Sequence, residues 1–167
     1  MTFLLTFIPD LIKSGFGKLA DRLGMVKNRA IARDVETYKK LTTILPCGGT
    51  IRYIRSHDFL GEFKSSLLPE LNHFLETCEN DPSFIFMDSK LEDIRRELFK
   101  HIHFFIATIR KHSFDSVNST EWKKVYPELQ RDNAKVETVA KSLNKSADEI
   151  CKIYDIFIKT AAKNIGA

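Results

Sequence analysis

The sequence predicts an all-α fold, a single-domain irregular antiparallel helical bundle with a long C-terminal helix. The chain has 167 residues, which is about the length of one domain. It is 43% hydrophobic and 29% charged, with only seven glycines and five prolines, so collagen-like, low-complexity and wholly disordered chains are excluded. Apolar residues recur at spacings of three and four over several long segments, as they do in amphipathic helices.

The N-terminal segment, residues 1–26, is predicted to be an amphipathic helix with a kink at Pro9. Its apolar residues cover about a third of the helical wheel, and basic residues lie at one margin. One interpretation is a first helix packed on the chain's own core. The functional hypothesis is an exposed helix that docks on a protein partner or lies in a lipid headgroup layer. The residues expected to dock are Phe3, Leu4, Ile8, Leu11, Ile12 and Phe16, with Lys13, Lys18 and Arg22 adding electrostatic attraction.

The bundle itself is predicted to span residues 27–167. Its first helix should run over residues 28–45, end at Pro46 and be followed by a glycine turn. Thr50 is expected to cap a short helical segment after that turn.

Ser66 should begin the next helix, which ends at the Asn-Asp-Pro sequence of residues 80–82. Residues 83–87, SFIFM, are predicted to form an extended plug against the core. Ser89 and Glu92 have the spacing of a capping box, which starts a central helix of about twenty residues. Charges of both signs alternate along this helix, which predicts a solvated face.

The region between the central helix and the last helix contains few apolar residues. Residues 113–121 are predicted to be a polar loop, followed by a short segment around Trp122 that stops at Pro127. A single helix is predicted over residues 132–164, because its apolar stripe stays in register without Gly or Pro. At 1.5 Å per residue this helix would be about 50 Å long.

The positive charge is concentrated in the first third of the chain. Residues 1–60 contain ten Lys and Arg against five Asp and Glu, whereas the remaining residues contain sixteen against seventeen. Such an excess favours attraction to phospholipid headgroups or to nucleic acid, although solvated helix faces show the same pattern. The residues expected to contact an anionic partner are Lys27, Arg29, Arg33, Arg52 and Arg55.

No motif for catalysis or metal binding is strong. The three cysteines are widely spaced and odd in number, which favours reduced thiols in a cytoplasmic protein. Cys47, His57 and Asp58 have the residue types of a thiol nucleophile, its base and an orienting carboxylate, but no family signature surrounds the cysteine. His101 and His103 would project about 200° apart on a helix and cannot share a metal. No catalytic residue, cofactor or metal is expected.

The N-terminal apolar run is not predicted to be a cleaved signal or a membrane span. No Lys or Arg precedes it, and Asp10 interrupts it early. It also falls short of the roughly 18 apolar residues that a spanning helix needs. We therefore expect a cytoplasmic protein that can lie at the inner face of the membrane.

Three stretches resemble a family of uncharacterised bacterial helical proteins, namely LPCGGTIRYIRSHDF, ENDPSFIFMDSKLEDIRRELF and LNKSADEICKIYDIFIKTA. The shared features are loose LPxxGxIRxI and DF motifs, and some members have an apolar N-terminal segment. The resemblance covers residues 44–165 and implies a bacterial origin, but it supplies no site residues.

Together these features predict a non-enzymatic interaction or accessory subunit of a bacterial assembly, attached to its partner through residues 3–24. A protein partner or a homo-oligomer is expected, and a membrane surface is the other candidate. The first alternative function is nucleic-acid binding by the basic N-terminal third. The second is a cysteine-dependent enzyme.

Overall fold

The computed structural model describes residues 8–116, 119–125 and 133–167, with side chains described from residue 24 onward. This part of the chain is mostly helical, as predicted, and also contains a small antiparallel sheet. The elements are α1 (Ile8–Ile44), α2 (Thr50–Ser56), β1 (Phe63–Lys64), α3 (Leu67–Asn80), α4 (Ser89–His112), β2 (Ser113–Ser116), β3 (Ser119–Val125) and α5 (Asn133–Ile165).

The first helix is longer than the sequence pattern indicates. Two helices were expected, the second beginning near Asn28, but α1 is continuous from Ile8 to Ile44. Gly24 lies inside this helix, because an internal glycine costs a helix about 1 kcal/mol without ending it. The expected boundary between residues 26 and 27 therefore lies inside α1.

The core lies between α4 and α5, and the remaining helices close it on both sides. α3 packs on α4, and α2 and the C-terminal half of α1 pack on both α3 and α5. Phe59 contacts Phe63 and Phe105 edge to face, with ring centroids 5.3 and 5.2 Å away. The buried Tyr154 hydroxyl donates to the carbonyl oxygen of Leu45 at 2.7 Å, which ties α5 to the end of α1. Burial raises the pKa of Tyr154 to about 12.

The predicted polar loop after α4 is wrong. β2 and β3 pair antiparallel with Ser113 opposite Val125, and β1 adds to the other edge of β3 with Phe63 opposite Lys123. The strand order is β1-β3-β2, so the segment around Trp122 is the central strand. β2 lies within twelve positions of its partners on β3, whereas β1 joins β3 from about 60 positions earlier, and a local pattern does not reveal that second pairing.

Two predicted helix starts also differ from the structure. Asp88, not Ser89, caps α4, because its side chain accepts a hydrogen bond from the Leu91 N–H at 3.0 Å. Thr50 is the first residue of α2 rather than its cap, and its N–H donates to a Glu70 carboxylate oxygen at 3.2 Å. Gly49 fits tightly before it, since an added Cβ would lie 2.9 Å from the Pro46 ring.

The remaining predicted elements are confirmed. α3 begins after Ser66 and ends at Asn80, and α5 lies within one residue of its predicted limits at both ends. The plug of residues 83–87 contains no helix or strand, and it buries Phe84 and Phe86 against the core.

Candidate functional site

The described side chains in the N-terminal part of α1 are not packed against the body of the protein. All residues from 24 to 29 are exposed, including Met25 at 55% and Val26 at 65%. Six helical residues cover more than one and a half turns, so no side of the helix is packed at this level. Burial on α1 begins with partial burial of Ala30 and Ile31, and Asp34 is the first fully buried side chain among those described. We call residues 8–29 the N-terminal arm.

Most of the predicted docking residues belong to this arm. Phe3 and Leu4 lie outside the described residues. The others lie on the helical backbone of α1, where the side chains are not among those described. They are Ile8, Leu11, Ile12, Lys13, Phe16, Lys18 and Arg22.

Val26 shows the environment at the end of the predicted apolar stripe. On a helix of 3.6 residues per turn, positions 18 residues apart lie on the same side. Val26 therefore lies on the same side of α1 as Ile8. At 65% exposure, Val26 has no covering neighbour, so the stripe is open to solvent where the arm meets the body.

The predicted basic contacts on α1 are exposed at the base of the arm. Lys27, Arg29 and Arg33 have no ion-pair partner among the described residues. The nearest acid along the helix, Asp34, is buried and accepts hydrogen bonds from the Met87 and Asp88 N–H groups at 2.6 and 2.9 Å. Because that carboxylate faces inward, it does not pair with these basic residues.

The other two predicted basic contacts lie on α2 and differ from each other. Arg52 is exposed. Arg55 makes a two-pronged ion pair with Asp155 of α5, at 2.9 and 2.7 Å. Hydrogen bonds to Asp155 raise the pKa of Arg55 above its usual range, and the same bonds lower the pKa of Asp155. Arg55 therefore joins two helices, and its guanidinium is already occupied.

The structure does not join Cys47, His57 and Asp58 as a catalytic unit. Among the described residues no hydrogen bond links any two of them, and Cys47 is exposed. The Asp58 carboxylate instead accepts from the Leu60 N–H at 3.0 Å and from the Asn144 amide at 2.8 Å, and these bonds lower its pKa. It braces the α2–β1 loop against α5.

The His57 ring is part of an aromatic cluster. It stacks on Tyr53 and meets Phe59 edge on, with both ring centroids 4.9 Å away. Its Nε2 atom is buried without a hydrogen-bond partner, and burial lowers the pKa of the ring. A neutral imidazole packed between rings has a structural role at this position.

The two other thiols are core groups. Burial raises the pKa of Cys78 and that of Cys151 to about 11 in each case. The Cys151 thiol donates a weak hydrogen bond to the Ile51 carbonyl oxygen at 3.7 Å. Both thiols are therefore protonated at neutral pH, and a thiol reacts as a nucleophile only in its thiolate form.

The charged face predicted for α4 is partly buried, contrary to expectation. Glu92 and Arg95 are both buried and joined by two hydrogen bonds of 2.9 and 2.7 Å. The carboxylate also accepts from the Arg96 guanidinium at 2.9 Å and from the Phe86 N–H at 3.1 Å. Burial opposes ionisation of Glu92, but these hydrogen bonds outweigh it and lower its pKa. The pair fixes the plug of residues 83–87 and leaves no free carboxylate for chemistry.

A groove between α4 and α5 was not predicted. It consists of two adjoining depressions of about 380 and 390 Å³ that share Phe104 of α4 and Ser142 of α5. We call it the α4–α5 groove. Sequence periodicity places Phe104 beside the apolar stripe of α4, but only the packing of α5 shows that its ring borders a groove.

Comparison with known proteins gives no relative. No family, curated protein or solved structure matches the chain. Within the described ranges, no helix is long and apolar enough to cross a membrane, and no three His, Cys, Asp or Glu side chains converge as metal ligands would. The resemblance to the uncharacterised bacterial family stays a prediction.

Proposed function

We propose that this chain is a non-enzymatic accessory protein that attaches peripherally to an anionic membrane surface through the N-terminal arm. The main support is the exposure of residues 24–29 on every side while α1 continues for another sixteen residues toward Ile8. The helical body would then be held at the surface, available to other subunits of an assembly.

The arm is an unusual helix for a protein to keep in water. Most helical stability in proteins comes from packing of an apolar face, and residues 24–29 of the arm have no packed side. The sequence gives the arm an apolar stripe that includes Leu11, Ile12 and Phe16. An interfacial helix buries such a stripe about 5–10 Å into the headgroup boundary.

The basic residues favour an anionic surface. Lys27, Arg29 and Arg33 are exposed without described acidic partners, close to where the arm enters the body. Each Lys or Arg near an anionic leaflet contributes about 1 kcal/mol to binding. Apolar burial and electrostatic attraction act together here, and peripheral attachment needs two such contributions.

The alternatives predicted from the sequence have less support. Nucleic-acid binding by the basic N-terminal third would lose one of its five predicted contacts, because Arg55 is already paired with Asp155. A cysteine-dependent enzyme would need a base beside Cys47, and the imidazole of His57 is packed among aromatic rings instead.

Vesicle co-sedimentation tests the proposal. We expect the full chain to sediment with phosphatidylglycerol-containing vesicles and not with pure phosphatidylcholine vesicles at moderate ionic strength. Phe16→Asp should abolish binding, because it places a charge in the apolar stripe. The double variant Lys27→Gln, Arg29→Gln should weaken binding about thirtyfold, since two surface attractions of about 1 kcal/mol each are lost.

A matched control removes equal charge from the body. Lys39 and Lys159 are exposed on the packed part of α1 and on α5, and Lys39→Gln with Lys159→Gln should leave vesicle binding unchanged. Binding that survives Phe16→Asp would overturn the proposal. A stable dimer in lipid-free solution that Phe16→Asp dissociates would also overturn it, because the occupant of the stripe would then be a second copy.

A further inference from the structure

The α4–α5 groove has an apolar centre that no part of the described chain covers. Phe104 lies where its two depressions meet, with 55% of its side chain exposed. Burying this side chain against an apolar ligand would remove apolar surface from water, which is favourable. Each depression, at about 380 and 390 Å³, falls within the range of small-molecule sites, about 300–1,000 Å³.

A buried hydroxyl with an unfilled hydrogen bond lines the first depression. Ser146 is only 5% exposed, and its Oγ atom has no hydrogen-bond partner among the described residues. Serine inside a helix can donate to the carbonyl four residues back, but Ser146 does not do so here. A buried polar group without a partner is destabilising, so binding is favoured when an oxygen atom of a ligand accepts from it.

The charges beside this hydroxyl favour an anion. Of the two acids that line the depression, Glu97 is ion-paired with Lys100 at 2.6 Å and Glu149 with Lys152 at 3.8 Å. Lys145 is next to Ser146 in sequence, lines the same depression and has no ion-pair partner in the described part of the chain. Its ammonium group is therefore the charge left unbalanced at this end of the groove.

The apolar and polar features are arranged in order along the groove. The hydroxyl of Ser146 and the ammonium group of Lys145 are at one end, and Phe104 is in the middle. Val139 and Ala107 line the second depression. Val139 and Ser146 are seven residues apart on α5, about 10 Å at 1.5 Å per residue. We propose that the α4–α5 groove binds a small amphipathic carboxylate, with its acid group at Ser146 and Lys145 and its apolar chain across Phe104.

Decanoate is a suitable probe, used below its micelle concentration and without vesicles. Isothermal titration of the full chain should show saturable decanoate binding, with at least tenfold weaker binding of decyltrimethylammonium, which has the same chain with a positive head group. Ser146→Ala should weaken decanoate binding about fivefold. It should leave the fold intact, because it removes an unsatisfied hydroxyl.

Two further variants locate the binding. Phe104→Ala should weaken decanoate binding about tenfold, and Lys145→Gln should weaken it about threefold. Ile156 is an equally apolar, 45% exposed residue of α5 outside the groove, so Ile156→Ala is the matched control and should have no effect. Phe16→Asp should also have no effect, which separates this site from the arm.

Three results would overturn the proposal. The first is equal binding of the anionic and cationic probes, because recognition would then ignore the head group. The second is an equal effect of Phe104→Ala and Ile156→Ala, which would indicate non-specific surface adsorption. The third is no saturable decanoate binding, because the groove would then not be a site for an amphipathic carboxylate.

Discussion

The two halves of α1 form one continuous helix in two different environments. In the C-terminal half Leu41 is fully buried and Tyr38 stacks on Phe157 of α5 with ring centroids 5.5 Å apart. In the N-terminal half residues 24–29 are exposed on all sides. The comparison shows that α1 stays continuous across this change of environment, and that burial along it is set by which elements lie alongside.

The change of environment occurs close to Asp34. Its buried carboxylate accepts from two N–H groups in the segment before α4, so it fixes α1 to the plug. N-terminal to this point, the described side chains are exposed or only partly buried. The body and the arm should therefore respond differently to equivalent substitutions.

The largest expected effect is a difference in the free energy of unfolding between two variants, each with one apolar side chain truncated in one half of α1. Leu41→Ala should lower the free energy of unfolding by about 2–5 kcal/mol, because it leaves a cavity in the core. Val26→Ala should change it by less than about 0.5 kcal/mol, as surface substitutions do. Urea denaturation followed by circular dichroism measures both values. Comparable losses for the two variants would show that the arm is packed in solution.

A smaller effect is expected at the point where α1 enters the body. Asp34→Ala removes the acceptor of the Met87 and Asp88 N–H groups and should cost about 2 kcal/mol of unfolding free energy. Asp34→Asn retains one acceptor oxygen and should cost about half as much. The matched control is Glu36→Ala, an exposed acid two residues later on the same helix.

The Asp34 variants also test where along α1 the arm ends and the body begins. Denaturation midpoints in urea should fall for Asp34→Ala and stay within error for Glu36→Ala. If both variants behave alike, the hydrogen bonds of Asp34 do not hold the plug, and the boundary between arm and body must be placed elsewhere.

Periodicity alone was enough to predict α4 and α5. Both helices have apolar residues at regular spacings and lack internal Gly or Pro, so their limits could be placed closely. The end of α1 at Ile44 could be predicted because Pro46 follows it. The arm was predicted as an amphipathic helix, but its continuity with the next helix was not.

Most of the errors come from contacts between residues far apart in sequence. β1 joins β3 from about 60 positions earlier, whereas β2 pairs with β3 locally, and the residues of β3 have no strong alternation that would predict a strand. Glu92 and Arg95 appeared to be surface charges, but the plug around Phe86 covers them. The α4–α5 groove exists only once two helices are packed together, so no single segment could reveal Ser146 as a binding group.

The smallest expected effect concerns the helical stability of the arm itself. An added Cβ at Gly24 would meet no atom within 4 Å, so alanine fits there without strain. Gly→Ala inside an exposed helix stabilises it by about 0.5–1 kcal/mol. If the arm opens independently of the body, Gly24→Ala should slow amide hydrogen exchange of nearby arm residues about two- to fivefold, which is the same free energy expressed as a protection factor.

Gly24→Ala should not change the stability of the body. The midpoint of global unfolding should stay constant for Gly24→Ala, because the arm contributes nothing to the cooperative unit that α4 and α5 form. Gly48, in the turn after α1, is also free of neighbours within 4 Å, and Gly48→Ala should leave exchange in the arm unchanged. The free energy of global unfolding could instead rise by as much as the free energy of amide protection in the arm. That result would mean that both halves of α1 unfold together, and the two halves would then differ only in exposure.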